Sequence, residues 1–156
     1  MSTIEQTIEV NVPVRTAYDQ WTQFESFPKF MDGVESVQQL DDKRLHWKAR
    51  IAGVEREWDA EIFHQDPDQR IGWRAIDGTT NEGTVSFAPA GGADSTRVTM
   101  RLEFEPEGIV EKTGDVLNIV EHRAKGDLEN FKEFIEGRGV ETGEWRGEVK
   151  PSDVDS

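Results

Sequence analysis

The sequence predicts an α+β domain, a curved antiparallel sheet of about seven strands wrapped around one long C-terminal helix, with two short helices after the first strand. Three observations carry this. Residues 109–136 form the only long stretch with helical periodicity: Val116, Leu117, Val120, Ala124, Leu128, Phe131, Phe134 and Ile135 recur at steps of three and four, with Glu121, Lys125, Glu129, Lys132 and Glu136 opposite. Almost everything before that stretch alternates apolar and polar residues in short runs, the period of half-buried strands. Turn residues separate the runs at hairpin spacing, so successive strands pair as an antiparallel meander. A rod of about 40 Å must bury its apolar stripe, and wrapping a sheet around it is the economical solution.

Taken in order, Ile4, Gln6, Ile8 and Val10 alternate with Glu5, Thr7 and Glu9 in a first strand. Pro13 suits the first turn of a short helix whose buried side is Val14, Ala17, Tyr18 and Trp21. A single-turn helix is expected from Ser26 to Met31, ended by Gly33, and a strand from Val34 toward Leu40. Ile71, Trp73 and Ala75 mark one later strand, Val85 and Phe87 the next, and Val98, Met100, Leu102 and Phe104 the last. Gly126 falls mid-helix, where it predicts either a bend or a close approach to the sheet. Residues 139–156 have no period and read as a disordered acidic tail with Trp145 as its anchor, leaving 1–138 as the folded domain.

The hairpin at 44–62 fixes its own register. If Ala52 and Gly53 form the turn, Arg50 faces Glu55, Lys48 faces Glu57, His46 faces Asp59 and Arg44 faces Glu61. On the other face Ile51 meets Val54, Trp47 meets Trp58 and Leu45 meets Ala60. A slip of one residue would ruin both rows. The carboxylates Glu55, Glu57, Asp59 and Glu61 therefore belong to a solvated outer face. Arg56 breaks the pattern by falling on the apolar face opposite Ala49. It is either an arginine snorkelling to the rim or a cation placed at a cavity mouth.

Composition sets the outer bounds. Charged residues make up 32% and apolar ones 35%, and five Trp and eight Phe supply the bulk a core needs. There is no cysteine, hence no disulfide and no thiolate chemistry. The net charge of −14 argues against nucleic acid as partner and leaves room for only weak, transient contact with anionic membranes. The N-terminus MSTIEQTIEV lacks a basic stretch followed by an apolar run, so a cytoplasmic location is expected.

The series Trp21-x2-Phe24-x2-Phe27-Pro28-x-Phe30-Met31-x2-Val34, with Pro13 before the first helix and Gly83-Thr84-Val85-Ser86-Phe87 before the last strand, resembles a known family. Over residues 3–136 it is similar to the START and birch-pollen-allergen (SRPBCC) superfamily, in its polyketide cyclase/dehydrase and coenzyme-Q-binding branch. The resemblance implies the helix-grip fold and a cavity between sheet and C-terminal helix for a small hydrophobic ligand, a lipid, quinone or polyketide-like aromatic. On the residue reading, Trp47, Trp58, Trp73, Phe87 and Met100 line it from the sheet, and Leu117, Val120 and Phe131 from the helix. Phe27, Phe30 and Met31 stand where the family's short helix gates one end. Ala49, Ala60 and Ala75 on the same face leave room beside the large rings.

Catalytic chemistry is harder to find. His46, His64 and His122 lack metal-ligand spacing, no serine sits in a nucleophile elbow, and no phosphate loop occurs, so neither metal nor cofactor is expected. His64 continues the inward row Trp58, Ala60, Ile62 and is either a rim histidine or a group orienting the ligand. Two functions follow: a carrier of a hydrophobic molecule, with Arg56 or His64 meeting its polar end, or a cyclase/dehydratase in which His64 moves a proton. A module that regulates another protein would instead require a filled interior.

Overall fold

The chain forms its elements in the expected order. The computed structural model describes residues 2–31, 33–51, 54–76, 81–92, 94–104, 113–145 and 147, with the backbone alone at 2, 51, 54, 104 and 113–119. Strand β1 (Ser2–Val10) leads to helix α1 (Val14–Trp21) and a 3-10 helix (Phe24–Lys29). Strands β2 (Val34–Gln39), β3 (Arg44–Ile51), β4 (Val54–Asp66), β5 (Arg70–Ala75), β6 (Asn81–Pro89) and β7 (Thr96–Phe104) follow, then helix α2 (Thr113–Arg138). The seven strands make one curled antiparallel sheet in the order β1-β7-β6-β5-β4-β3-β2. β2 to β7 are a plain meander. β1 closes on β7, so α1 and the 3-10 helix carry the chain from one sheet edge to the other.

The hairpin register is the one that charge and hydrophobicity select. Arg50 pairs with Glu55, Lys48 with Glu57, His46 with Asp59, Arg44 with Glu61, Trp47 with Trp58, and Ala49 with Arg56. Its turn residues, Ala52 and Gly53, lie outside the described residues. One member of the acidic row is not solvated: Glu61 is buried, because Arg74 on β5 swings across and donates from Nε to Glu61 Oε1 at 2.9 Å. The guanidinium covers the carboxylate and replaces its water.

Helix α2 buries Ala124, Leu128, Phe131 and Ile135, the stripe that the sequence spacing picks out. It packs along β1, where Lys132 Nζ donates to the Glu9 carbonyl at 3.1 Å and the Asn11 N–H donates to Glu136 Oε2 at 2.7 Å. The expected start at 109 falls outside the described residues. The helix ends at Gly139, whose φ of 77° is the left-handed conformation that closes a helix and whose N–H donates to the Ile135 carbonyl at 2.8 Å. Gly126 is no close approach, since a Cβ there would meet nothing within 4 Å. Among the described residues no helix is long and apolar enough to cross a membrane.

The start of the expected tail does not run loose. Gln20 on α1, fully buried, accepts from the Thr142 N–H at 2.8 Å and donates to Thr142 Oγ1 at 3.0 Å. Thr22 Oγ1 accepts from the Trp145 N–H at 3.1 Å, and the half-buried Trp145 packs against the core. Residues 148–156 lie outside the described residues.

Candidate functional site

The inner face of the sheet has two ends of different character. At one end α1, the 3-10 helix and the C-terminal half of α2 cover it, and Val10, Leu45, Ile62, Ile71, Val85 and Val98 are completely buried. Farther along the strands lie Trp47, Trp58, Trp73, Ala49, Arg56 and Leu102, with Trp47 and Trp73 still in reach of Phe27 at 5.8 and 6.2 Å. Register explains the grouping. Trp47 faces Trp58 across β3 and β4, and Trp73 faces Ile62 across β4 and β5 and Gly83 across β5 and β6.

These three indoles stack. Trp47 and Trp58 are parallel to within 2° with centroids 5.9 Å apart, and Trp47 lies 5.6 Å from Trp73 at 27°. Gly83 makes the arrangement possible: a Cβ there would stand 2.9 Å from Trp73 Cε2 and Cζ2, so the indole lies flat on bare backbone. Trp47 and Trp58 retain 4% and 8% exposure. Their Nε1–H groups are buried and find no acceptor among the described residues. A buried donor left unsatisfied costs about 1–3 kcal/mol, so such a pair calls for a reason.

Several site residues stand elsewhere than the sequence suggested. Phe27, Phe30 and Met31, expected where a short helix gates one end, are buried at 0%, 1% and 4% exposure. The Phe27 ring is the hub, 5.1 Å from Trp21, 5.3 Å from Phe24, 5.7 Å from Phe30 and 5.8 Å from Trp47. Phe30 and Trp21 both touch Phe131, each at 5.2 Å. Rings expected to line a hollow thus pack on one another here, with Phe27 of the 3-10 helix also lying against Trp47 and Trp73 of the sheet. Phe87 and Met100 are inward and buried, Phe87 against Tyr18 of α1 at 5.6 Å. Val120 and Arg56 are half-buried. The side chain of Leu117 lies outside those described.

His64 faces the opposite way from its expected place. A bulge between Ile62 and His64 inserts one residue into β4, and Gln65, opposite Ile71 and 1% exposed, takes the inward position. Phe63 and His64 turn to the outer face, with ring centroids 4.8 Å apart. There they wall a hollow of about 230 Å³ shared with Arg70, Glu82, Thr84, Arg101 and Glu103. Burial first, and the Arg70 guanidinium second, hold the imidazole below its ordinary value. A period-two reading cannot see a bulge. The histidine offered as proton carrier for the interior therefore stands on the wrong side of the sheet.

Among the described residues one group has the spacing to hold a metal ion: carboxylate oxygens of Asp19, Glu141 and Glu144 lie within 4.8 Å of one another. Arg15 stands 3.7 Å from both Asp19 and Glu144 and compensates their charge.

Comparison with known proteins agrees with this architecture. Residues 10–133 match the family model described as polyketide cyclase / dehydrase and lipid transport. An uncharacterized 17.2 kDa protein of Streptomyces lincolnensis is 50% identical over 150 residues, covering 96% of this chain and 99% of that one. The Zhui aromatase/cyclase of a Streptomyces species superposes with a TM-score of 0.76 at 17% identity, covering 92% of this chain and 99% of that chain. A START superfamily protein of Mycobacterium smegmatis gives 0.68 at 21% identity, covering 87% and 95%. With a seven-stranded sheet curled around its C-terminal helix, and a family match over most of its length, the chain belongs to the polyketide cyclase/dehydrase and lipid transport family.

Proposed function

We propose that this chain binds a small, flat, largely apolar molecule against the Trp47–Trp58–Trp73 wall and acts as its carrier. The observation that carries the reading is the pair of buried indole N–H groups without an acceptor among the described residues, on parallel rings beside Ala49 and Ala60. An oxygen of a bound molecule would satisfy them, and its apolar body would cover ring surface worth about 25 cal/mol per Å². The family description, which joins lipid transport with polyketide cyclisation, supports a ligand of this kind. A carrier is favoured over a cyclase because His64, the side chain offered for proton transfer, faces outward. The test is native mass spectrometry of protein purified from its own host, followed by titration with naphthoquinone-, fatty-acid- and polyketide-type molecules. One-to-one complexes with quenched tryptophan fluorescence are expected. A clean unliganded mass, unchanged across the panel, would end the carrier reading in favour of a filled core.

A further inference from the structure

We propose that the outer face of the sheet carries a second site, for a small organic ammonium ion, seated over Gly72 and Thr84 between Phe63, His64 and Glu82. Its origin is in the register. His64, Gly72, Thr84 and Arg101 form one row across β4, β5, β6 and β7, and Arg74, Glu82 and Glu103 form the next row toward the other end of the strands. The outside of a curled sheet normally bulges outward. Here the extra residue in β4 and the missing side chain at Gly72 sink it. A Cβ on Gly72 would lie 3.2 Å from Phe63 Cζ, so the ring is folded down over bare backbone.

The charges around the hollow do not cancel. Arg70 is taken by Asp66 at 2.8 Å, Arg74 by Glu61 at 2.9 Å and Arg101 by Glu103 at 3.1 Å. His64 is neutral. Glu82 has no cationic partner within 4 Å among the described residues; its side chain shares a hydrogen bond with the carboxyl group of Glu103, itself an acid. Burial and the neighbouring Glu103 raise its carboxyl above the ordinary range, against the pull of Arg74 and Arg101. One cation would settle this deficit, with its ammonium on Glu82 and its apolar body along the Phe63 and His64 rings. The volume of about 230 Å³ falls below the roughly 300–1,000 Å³ of sites for drug-sized ligands, which favours a compact molecule. The overall charge of −14 draws cations toward the surface and repels anions.

The test is titration of the isotope-labelled full chain with 2-phenylethylamine, following backbone amide resonances. Saturable millimolar binding is expected, with shifts centred on Gly72, Thr84 and Glu103 and none at Trp47 or Trp58. 2-Phenylethanol and phenylacetate, of the same size without the cation, should bind at least about ten-fold more weakly, and Glu82→Gln should weaken the amine by a similar factor. Equal binding of phenylacetate or the alcohol, an unchanged affinity in Glu82→Gln, or no saturable shift at these amides would each overturn the assignment. The ligand comparison uses the unaltered chain, so the result does not depend on how the variant folds. The interior reading rests on different residues and survives either outcome.

Discussion

The indole of Trp47 lies parallel to that of Trp58 across the β3–β4 hairpin, 5.9 Å away, in a register that the outer charged row fixes from the other side of the sheet. A face with no contact to the interior thus helps position the rings within it. The consequence can be read by comparing two tryptophans. Trp21 is fully buried among Phe27, Phe30 and Phe131, and Trp21→Ala should cost about 3–5 kcal/mol of stability. Trp58, at the less covered end, should lose less when truncated while losing apolar-ligand binding. Chemical denaturation of both variants measures the difference, and equal losses would class Trp58 as ordinary core.

Gly83 and Trp73 form a second coupled pair. Gly83→Ala places a methyl group 2.9 Å from the indole, which must tilt and disturb its stack on Trp47. The expected cost is about 1–3 kcal/mol, with an altered near-ultraviolet circular dichroism signal. A variant as stable as the parent, with an unchanged signal, would show that the ring has slack.

Much of this was legible in the sequence because the signals were redundant. The 44–62 hairpin has charge on one face and apolar bulk on the other, and both demand the same pairing. The α2 stripe of Ala124, Leu128, Phe131 and Ile135 repeats over several turns. What escaped was non-periodic. The β4 bulge reverses His64 through one inserted residue, and Glu61 is buried by an arginine two strands away from its hairpin partner Arg44. Phe27 belongs to a segment whose aromatic density is plain but whose direction depends on how the 3-10 helix docks. Gln20 joins α1 to Thr142 by two bonds that span a separation no local pattern reports.

Gly126 offers a stabilising substitution. A Cβ there meets nothing within 4 Å, and the position lies inside α2. Gly126→Ala should therefore add up to about 1 kcal/mol through helix propensity and a less flexible unfolded chain. Thermal melts check this; a lower Tm would mean that the helix needs the glycine for a motion.

His46 sets a pH dependence. Hydrogen bonds accepted by Asp59 first, at 2.7 Å from Nδ1, and by Glu57 second, at 2.9 Å from Nε2, raise its pKa above the ordinary 6.5. A raised folded-state pKa means that protonation favours folding: the contribution is complete below the unfolded value and fades as pH rises through the folded one. The site is partly exposed, so the effect should be small. The stability lost in His46→Gln should be larger near about pH 5.5 than near about pH 8.5. A difference that grows with pH would contradict the sign.

The contact between Gln20 and Thr142 predicts that the chain beyond α2 is part of the folded unit. A glutamine with no exposed surface uses its side-chain carbonyl and its amide on the same threonine, and removing it leaves the Thr142 N–H and Oγ1 to find water. The loss of two partly buried hydrogen bonds should cost about 1–3 kcal/mol and release Trp145 from its seat by the Thr22 hydroxyl. Gln20→Leu keeps the volume and isolates the polar effect. In that variant Trp145 should show red-shifted emission, and limited proteolysis after Gly139 should speed up while the sheet amides keep their exchange protection. Faster exchange throughout the sheet would instead make residues 141–145 a structural strut of the whole domain.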